Sequence, residues 1–301
     1  MKHLIRSIFF LLVAATIAPA HAALNVFATV PEWHALANEL GGDKVNVYLA
    51  SNALQDPHRV EAKPSLIARI RSADLVVATG AELELGWLPV LLRESGNAKI
   101  QAGNPGYFEA TEHVRMLEVP VRLDRADGDM HPFGNPHIQM SPYNIARVAE
   151  PLSKRFAELD PANASYYQSR YANFSERWNK AIKKWDTDAA PLKGMPIVVH
   201  HPEYIYLVEW LGMKQIATLE AKPGVEPSVS HLGEVLSKLQ RTPAKAVIRS
   251  AYLSDRPSKW IVERTKVIPV VLPFSVGGSP EAKDLFGLFD DTIARLLAAN
   301  K

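Results

Sequence analysis

Apolar residues along this chain fall into short runs separated by longer amphipathic stretches. LNVFATV (24–30), VNVYLA (45–50) and ADLVVATG (73–80) are nearly continuous in Val, Leu and Ala. Runs of this length with little polar alternation suit strands buried on both faces, as in parallel sheets. Between the last two, PSLIARIRSA (64–73) reads as a helix opened by Pro64. A weaker strand is expected from Lys99 to Gln101. The order is βα, so the N-terminal part is predicted to be an α/β lobe.

The middle of the chain changes period. Ser141-Pro142 offers an N-cap followed by Pro at the first helical position, and Asp160-Pro161 repeats the signal. Beyond it, Tyr167, Tyr171, Phe174, Trp178, Ile182 and Trp185 recur at three- and four-residue spacing and so share one helix face. An aromatic stripe of this kind is core. One long helix is therefore expected over about 160–188, stiff enough to join two lobes.

After Pro191 and Gly194 the βα pattern restarts. MPIVVHH (195–201), KQIATLE (214–220), KAVIRSAY (245–252) and VIPVVLPF (267–274) are strand candidates, with helices over 232–239 and 284–297. The predicted fold class is α/β, with two βα lobes of mostly parallel sheet joined by a long rigid helix. The expected division is a signal over 1–22, an N-terminal lobe over 23–141, linking helices over 142–192 and a C-terminal lobe over 193–301. No sequence repeat relates the lobes.

Composition narrows the class. Hydrophobic residues make up 47% of the chain, too many for a disordered one. Lys2 and Arg6 ahead of the apolar run Ile8–Ala15, with Ala20-His21-Ala22 behind it, have the form of a cleaved secretion signal. Export to a periplasm is expected. Without Lys2 and Arg6, Lys plus Arg falls from 34 to 32, equal to Asp plus Glu. A neutral chain lacks the basic stripe that nucleic acid favours. The chain has no Cys, which removes disulfides and thiolate metal ligands together and leaves metal binding to His, Asp and Glu.

The histidines carry the candidate chemistry. His58 lies in QDPHRVEAKPS, after a strand, where ligand sites concentrate in α/β sheets. His200 and His201 end the apolar run PIVVHH; side chains alternate along a strand, so one of the two faces a cleft. His137 lies in GDMHPFGNPHIQMSP (128–142), a Gly- and Pro-rich loop that also holds His131. His113 and His231 are expected to be exposed, and His34 to pack at a helix start. Imidazoles from three loops, without thiolates, suit zinc, copper, iron or nickel.

Three segments together resemble the metal-specific solute-binding proteins of bacterial ABC importers, the zinc branch in particular. DPHRVEAKPSLIARIRSADLVVATGAELE (56–84) resembles the family's D-x-H…P-S…A-D-L-V-V…G…L-E pattern and sets its ligand at His58. NPHIQMSP (135–142) resembles D-P-H-x-W-x-D-P and sets a second at His137. HPEYIYLVEWLG (201–212) resembles H-x-x-x-x-Y-L…G, where Tyr206 sets the register and selects His201 over His200. The resemblance covers essentially all of the chain after the signal. It implies a metal buried between the lobes and delivery to an inner-membrane permease by a monomeric carrier that is not an enzyme.

The chain departs from that family where a fourth ligand is expected. LPFSVGG (272–278) has no acidic residue, Ser250 stands near the position of the family's Glu, and Pro57 stands where some zinc members place Glu. Missing carboxylates favour Zn2+ over manganese or iron. The expected ligands are His58, His137 and His201, with His131 or water as the fourth. The second ring nitrogens need partners, for which Asp56, Glu61, Glu82 and Glu203 are candidates. Alternatives are a manganese or iron carrier of the same fold, a surface adhesin on that fold, and a secreted zinc hydrolase with Glu203 or Glu32 as base.

Overall fold

The computed structural model describes residues 22–122, 124, 126 and 128–301. The secretion signal expected over 1–22 lies outside the described residues except for Ala22. Among the described residues, no helix is long and apolar enough to cross a membrane.

Two four-stranded sheets organise the chain. The first holds β1 (Leu24–Ala28), β2 (Val45–Leu49), β3 (Leu75–Ala78) and β4 (Tyr107–Glu109) in the order β2-β1-β3-β4. The second holds β5 (Pro196–Val199), β6 (Lys214–Thr218), β7 (Ala246–Ser250) and β8 (Ile268–Leu272) in the order β6-β5-β7-β8. All pairings are parallel. The two-lobed α/β fold anticipated from the runs of Val, Leu and Ala is therefore present, and both lobes have the same strand order. Nothing in the sequence announced that repetition, because it resides in topology.

Apolar continuity tracks strand position. The central β3 is buried along its whole length, whereas the edge strand β6 opens with exposed residues. The short strand expected at 99–101 is instead a 3-10 turn over Ala98–Ile100, and the fourth strand of the first sheet follows at β4. The Asn97 side chain accepts from the Lys99 backbone N–H and caps that turn, which propensity alone does not reveal.

Helices α1 (Pro31–Gly41), α2 (Pro64–Arg71) and α3 (Leu88–Ser95) belong to the first lobe. Helices α4 (Pro142–Leu159) and α5 (Ala164–Asp188) lie between the lobes in sequence. Helices α6 (Ile205–Leu211), α7 (Val229–Arg241), α8 (Arg256–Val262) and α9 (Leu285–Ala299) complete the second lobe. Ser141 occupies the N-cap of α4 without a side-chain cap bond; Pro142 at the first position needs none for its own missing N–H.

Helix α5 has 25 residues, and at 1.5 Å per residue it runs roughly 37 Å. Its buried face is Tyr167, Phe174, Trp178, Ile182 and Trp185, while Tyr171 is only partly covered. The helix packs on α4, on α1 of the first lobe and on α9 of the second. One apolar core consequently runs from Val26 and Trp33 through Trp178 and Trp185 to Ile197 and Phe289. Separate, smaller cores fill the outer face of each sheet. A shared core resists wide hinge opening, because separating the lobes would expose it to water.

Trp178 is the keystone of that core. Its ring lies 5.1 Å from Trp185 and 4.8 Å from Phe286, and its indole N–H donates to Pro142 O at 2.8 Å. We predict that Trp178→Ala destabilises the protein by about 3–5 kcal/mol, measured as a lower midpoint in urea unfolding. A loss below about 1 kcal/mol would show that the aromatic stripe does not hold the lobes.

Candidate metal centre

The candidate histidines come from loops at strand ends and from the entry to α4. His201 follows β5, next to the point where the second sheet's strand order reverses, the usual place for a ligand in an open α/β sheet. His58 sits in the loop between β2 and α2, and His137 in the turn that leads into α4. One ligand atom from each of the three lies within 4.8 Å of those from the other two. Ring centroids are 5.3 Å apart for His58 and His137, 5.6 Å for His137 and His201, and 6.0 Å for His58 and His201. A single cation can bond nitrogens that close with small rotations.

Hydrogen bonds assign the free nitrogens. His58 Nδ1 donates to Asp56 Oδ1 at 2.8 Å, and His201 Nδ1 donates to Glu220 Oε2 at 2.7 Å. A carboxylate only accepts, so both rings carry the N–H at Nδ1 and the lone pair at Nε2. His58 Nε2 and His137 Nδ1 are buried without a hydrogen-bond partner. Orphaned buried nitrogens are rare in proteins and mark a place where something else binds. Of the four residues expected to orient the rings, Asp56 does so. Glu203 does not; it accepts from Ser250 Oγ and from Tyr252 O–H. Exposed Glu61 pairs with Lys63 instead.

Glu220 is the residue that sequence reasoning missed. It ends the run KQIATLE, just past β6, which pairs with β5. An acidic residue beside the strand that carries His201 was the available signal. Glu220 Oε2 also accepts the Gly224 N–H at 2.7 Å, so the carboxylate fixes both the ring and the following loop. His200 lies outside the cluster of three. It is buried, with Nε2 3.8 Å from Glu220 Oε1.

Burial and neighbours set the protonation states. Burial, and then the nearby His58, His201 and His131, push His137 well below the ordinary imidazole value. Burial works in the same direction on His201, but the Glu220 hydrogen bond and the charge of Glu203 outweigh it and hold His201 above its ordinary value. Burial opposes ionisation of Asp56 too, yet its bonds from His58 keep it below the usual carboxylate range. Burial raises Glu203, keeping it towards its neutral form.

The remaining sides of the cluster differ in character. His131 lies ring to ring with His58 at 5.3 Å, its Nδ1 held 3.0 Å from Ala81 O. Phe274, in the LPFSVGG stretch, packs its ring 5.5 Å from His137 and closes that side with hydrocarbon. A cavity of about 280 Å³ opens beside His137 and His201, with Asp129 and Glu118 on its wall. Three loops meet beside it: the Asp129 N–H donates to Pro223 O at 2.9 Å, and Arg59 Nη2 donates to Gly224 O at 3.2 Å. The approach demands glycine on each side. A Cβ on Gly224 would lie 1.9 Å from Asp129 Oδ2, and one on Gly128 would lie 2.2 Å from Pro223 O.

The other described histidines, His34, His113 and His231, are partly buried, so His113 and His231 are not the exposed side chains expected. His113 stacks on Phe108 at 4.8 Å, and His231 Nε2 lies 3.1 Å from Thr218 O. His34 is on α1, in its first turns, beside Asn38.

Residues 26–299 match the family described as ZnuA, zinc-uptake complex component A, periplasmic. The chain is similar to the zinc-binding lipoprotein AdcA of Streptococcus pneumoniae, 24% identical over 236 residues, which cover 77% of this chain and 46% of AdcA. It therefore spans about half the length of that relative. It is also similar to the manganese ABC transporter substrate-binding lipoprotein PsaA of Streptococcus anginosus, 24% identical over 249 residues, covering 81% of this chain and 77% of PsaA. Among solved structures, the crystal structure of ZnuA aligns with a TM-score of 0.76 at 23% identity, over 92% of this chain and 98% of that one. The cadmium-bound periplasmic metal binding protein from Candidatus Liberibacter asiaticus aligns at 0.75 and 20% identity, over 92% and 100%. At these identities the structural likeness speaks for the fold.

Close to the cluster, Glu32 of α1 accepts from Ser275 Oγ of the second lobe at 2.5 Å, fully buried. Burial raises its carboxyl from an ordinary 4.5 to about 7, against the Ser275 bond. The unfolded chain thus releases this proton near pH 4.5 while the native protein keeps it until about pH 7. Over that window native stability falls with rising pH, because the native state is the one holding the extra proton. We predict that Glu32→Gln gains stability relative to the parent as pH rises from about 5 to about 7.5, by on the order of 2–3 kcal/mol. Urea unfolding at the two pH values measures it; an equal difference at both would refute the assignment.

Proposed function

The chain belongs to the zinc-uptake complex component A family, the metal solute-binding proteins of ABC importers, and on that premise we propose that it captures zinc in the periplasm and delivers it to an inner-membrane permease. The observation that carries this reading is the convergence of His58, His137 and His201 within 4.8 Å. The family is one of transport proteins and not of enzymes, so the metal is cargo.

The proposed ligands are His58, His137 and His201, with His131 closing the fourth side next to His58. Three neutral imidazoles and no carboxylate among them match the preferences of zinc, whereas manganese favours oxygen donors. The PsaA relative is named for manganese, so selectivity is the point to test. Asp56 and Glu220 supply two carboxylates behind two of the rings, enough to offset a dication without touching it. His137, kept neutral by burial, meets the metal with no proton to lose.

Protein stripped of metal and loaded with equal zinc and manganese is expected to retain one zinc per chain and almost no manganese by elemental analysis. Retention of manganese would favour the alternative carrier. Substituting His137 by Ala should weaken zinc binding by more than the roughly 10–100-fold that loss of an outer hydrogen-bond partner costs. Substituting His131 by Ala should weaken zinc binding and lower the number of bound imidazoles by one; an unchanged affinity and imidazole count would put water in the fourth place.

Zinc competes with the proton on His201, whose pKa is raised, whereas His137 stays neutral far into acid. Affinity should therefore fall as the medium is acidified from neutral pH, with protons taken up as zinc is released. Chelator competition between about pH 5 and 8 reads the slope, and a flat profile down to the acid end would contradict it.

A further inference from the structure

Asn135 makes a set of hydrogen bonds that only an amide can make, and they cross the cleft beside two of the histidines. Its Nδ2 donates to Glu118 Oε2 at 3.0 Å and to Pro202 O at 2.7 Å, while its Oδ1 accepts the His137 N–H at 3.1 Å. Its backbone N–H donates to Leu117 O at 2.8 Å, and its carbonyl accepts from Tyr206 O–H at 2.8 Å. Tyr206 O in turn accepts the Leu117 N–H at 3.1 Å. Both partners of Nδ2 are pure acceptors and the partner of Oδ1 is a pure donor, so the network fixes which amide atom is which.

The two sides of this clamp are the two ligand segments. His137 lies two residues after Asn135, in the loop that leads into α4. Pro202 directly follows His201, and Tyr206 lies on α6 of the second lobe. Glu118 holds its place with a backbone φ of +53, a left-handed conformation costly for a residue with a Cβ. Strain maintained at a hydrogen-bond acceptor that faces the cleft is a mark of function.

We propose that Asn135 is the positioning residue of the metal site: it ties the His137 loop to the His201 segment and keeps these two imidazoles at bonding separation before the metal arrives. The inference rests on His137 and His201 being ligands. Its chemistry requires an amide at this position, which alone supplies two donors and an acceptor in this geometry. An aspartate here would set an anion against the Glu118 carboxylate and the Pro202 carbonyl and would break both donor bonds. The amide and Glu118 therefore act as a pair.

The test compares wild type with Asn135→Asp, Asn135→Asp/Glu118→Gln and Glu118→Ala. Each is loaded with zinc for release rates to a chelator and with cobalt for its visible d–d spectrum, and melting temperatures are recorded alongside. Asn135→Asp is expected to bind zinc about 10–100-fold more weakly, mainly through faster release, with a shifted cobalt spectrum. The double variant recovers part of the loss, since its introduced amide donates where the Glu118 carboxylate only accepts. Release and spectrum unchanged in Asn135→Asp would overturn the proposal, and so would a lower melting temperature as its only change. Where Asn135→Asp does not fold, Glu118→Ala decides: it removes one acceptor of the clamp, and faster release supports the clamp while a wild-type rate rejects it. A wild type that binds no metal sinks the ligand assignment itself, a result distinct from tight wild-type binding that Asn135→Asp leaves unaltered.

Discussion

Three imidazoles carried by segments far apart in the chain meet only because the two lobes are held at a set distance, and the shared core around α5 is what sets it. His58 is in the first lobe and His201 in the second, while His137 stands where the first lobe passes into the linking helices. An error of an ångström between the lobes would separate the nitrogens beyond bonding. Trp178, Trp185 and Phe289 pack across the seam, so the apolar burial that folds the chain also fixes the geometry of the cleft. The candidate ligands His58 and His201 follow the C-terminal ends of strands in the two sheets, and His137 lies in the segment that leads into α4.

Electrostatics completes what packing begins. A dication among neutral rings in a buried site needs counter-charge, and the protein supplies it one bond away. Asp56 and Glu220 each accept from the back nitrogen of a candidate ligand, one in each lobe. That placement fixes the tautomers, raises the basicity of the rings and leaves the inner positions to nitrogen. On the opposite side Phe274 presents hydrocarbon to His137, and burial raises the carboxyl of Glu203. Glu220 does one thing more. Its second bond, from Gly224 N–H, ties His201 to the loop that meets Asp129 across the cleft. The candidate site and the contact between the lobes are thereby parts of one hydrogen-bonded structure.

Much of this was legible in the sequence. The parallel lobes followed from strands such as LVVA, which show no polar alternation, and the long helix from an aromatic stripe at helical spacing. The three histidines stood out because each lay in or next to a loop at a strand end, and because a chain without Cys has few other ways to hold a cation of borderline softness. What was hidden has a physical reason in each case. The turn at Ala98–Ile100 is decided by the side chain of Asn97, a single hydrogen bond that periodicity does not register. Glu220 looked like the polar end of a strand, since its role depends on β6 lying beside β5. Asn135 reads as a turn residue before Pro136, and only the tertiary positions of Glu118 and Pro202 reveal its donors at work.

The central claim is that nitrogen from distant loops surrounds one ion. X-ray absorption at the zinc edge of the loaded protein tests it most directly. The account predicts a first shell of three or four imidazole nitrogens at about 2.0–2.1 Å, with the multiple scattering that marks histidine rings. A shell dominated by carboxylate or water oxygen, with fewer than three imidazoles, would contradict it.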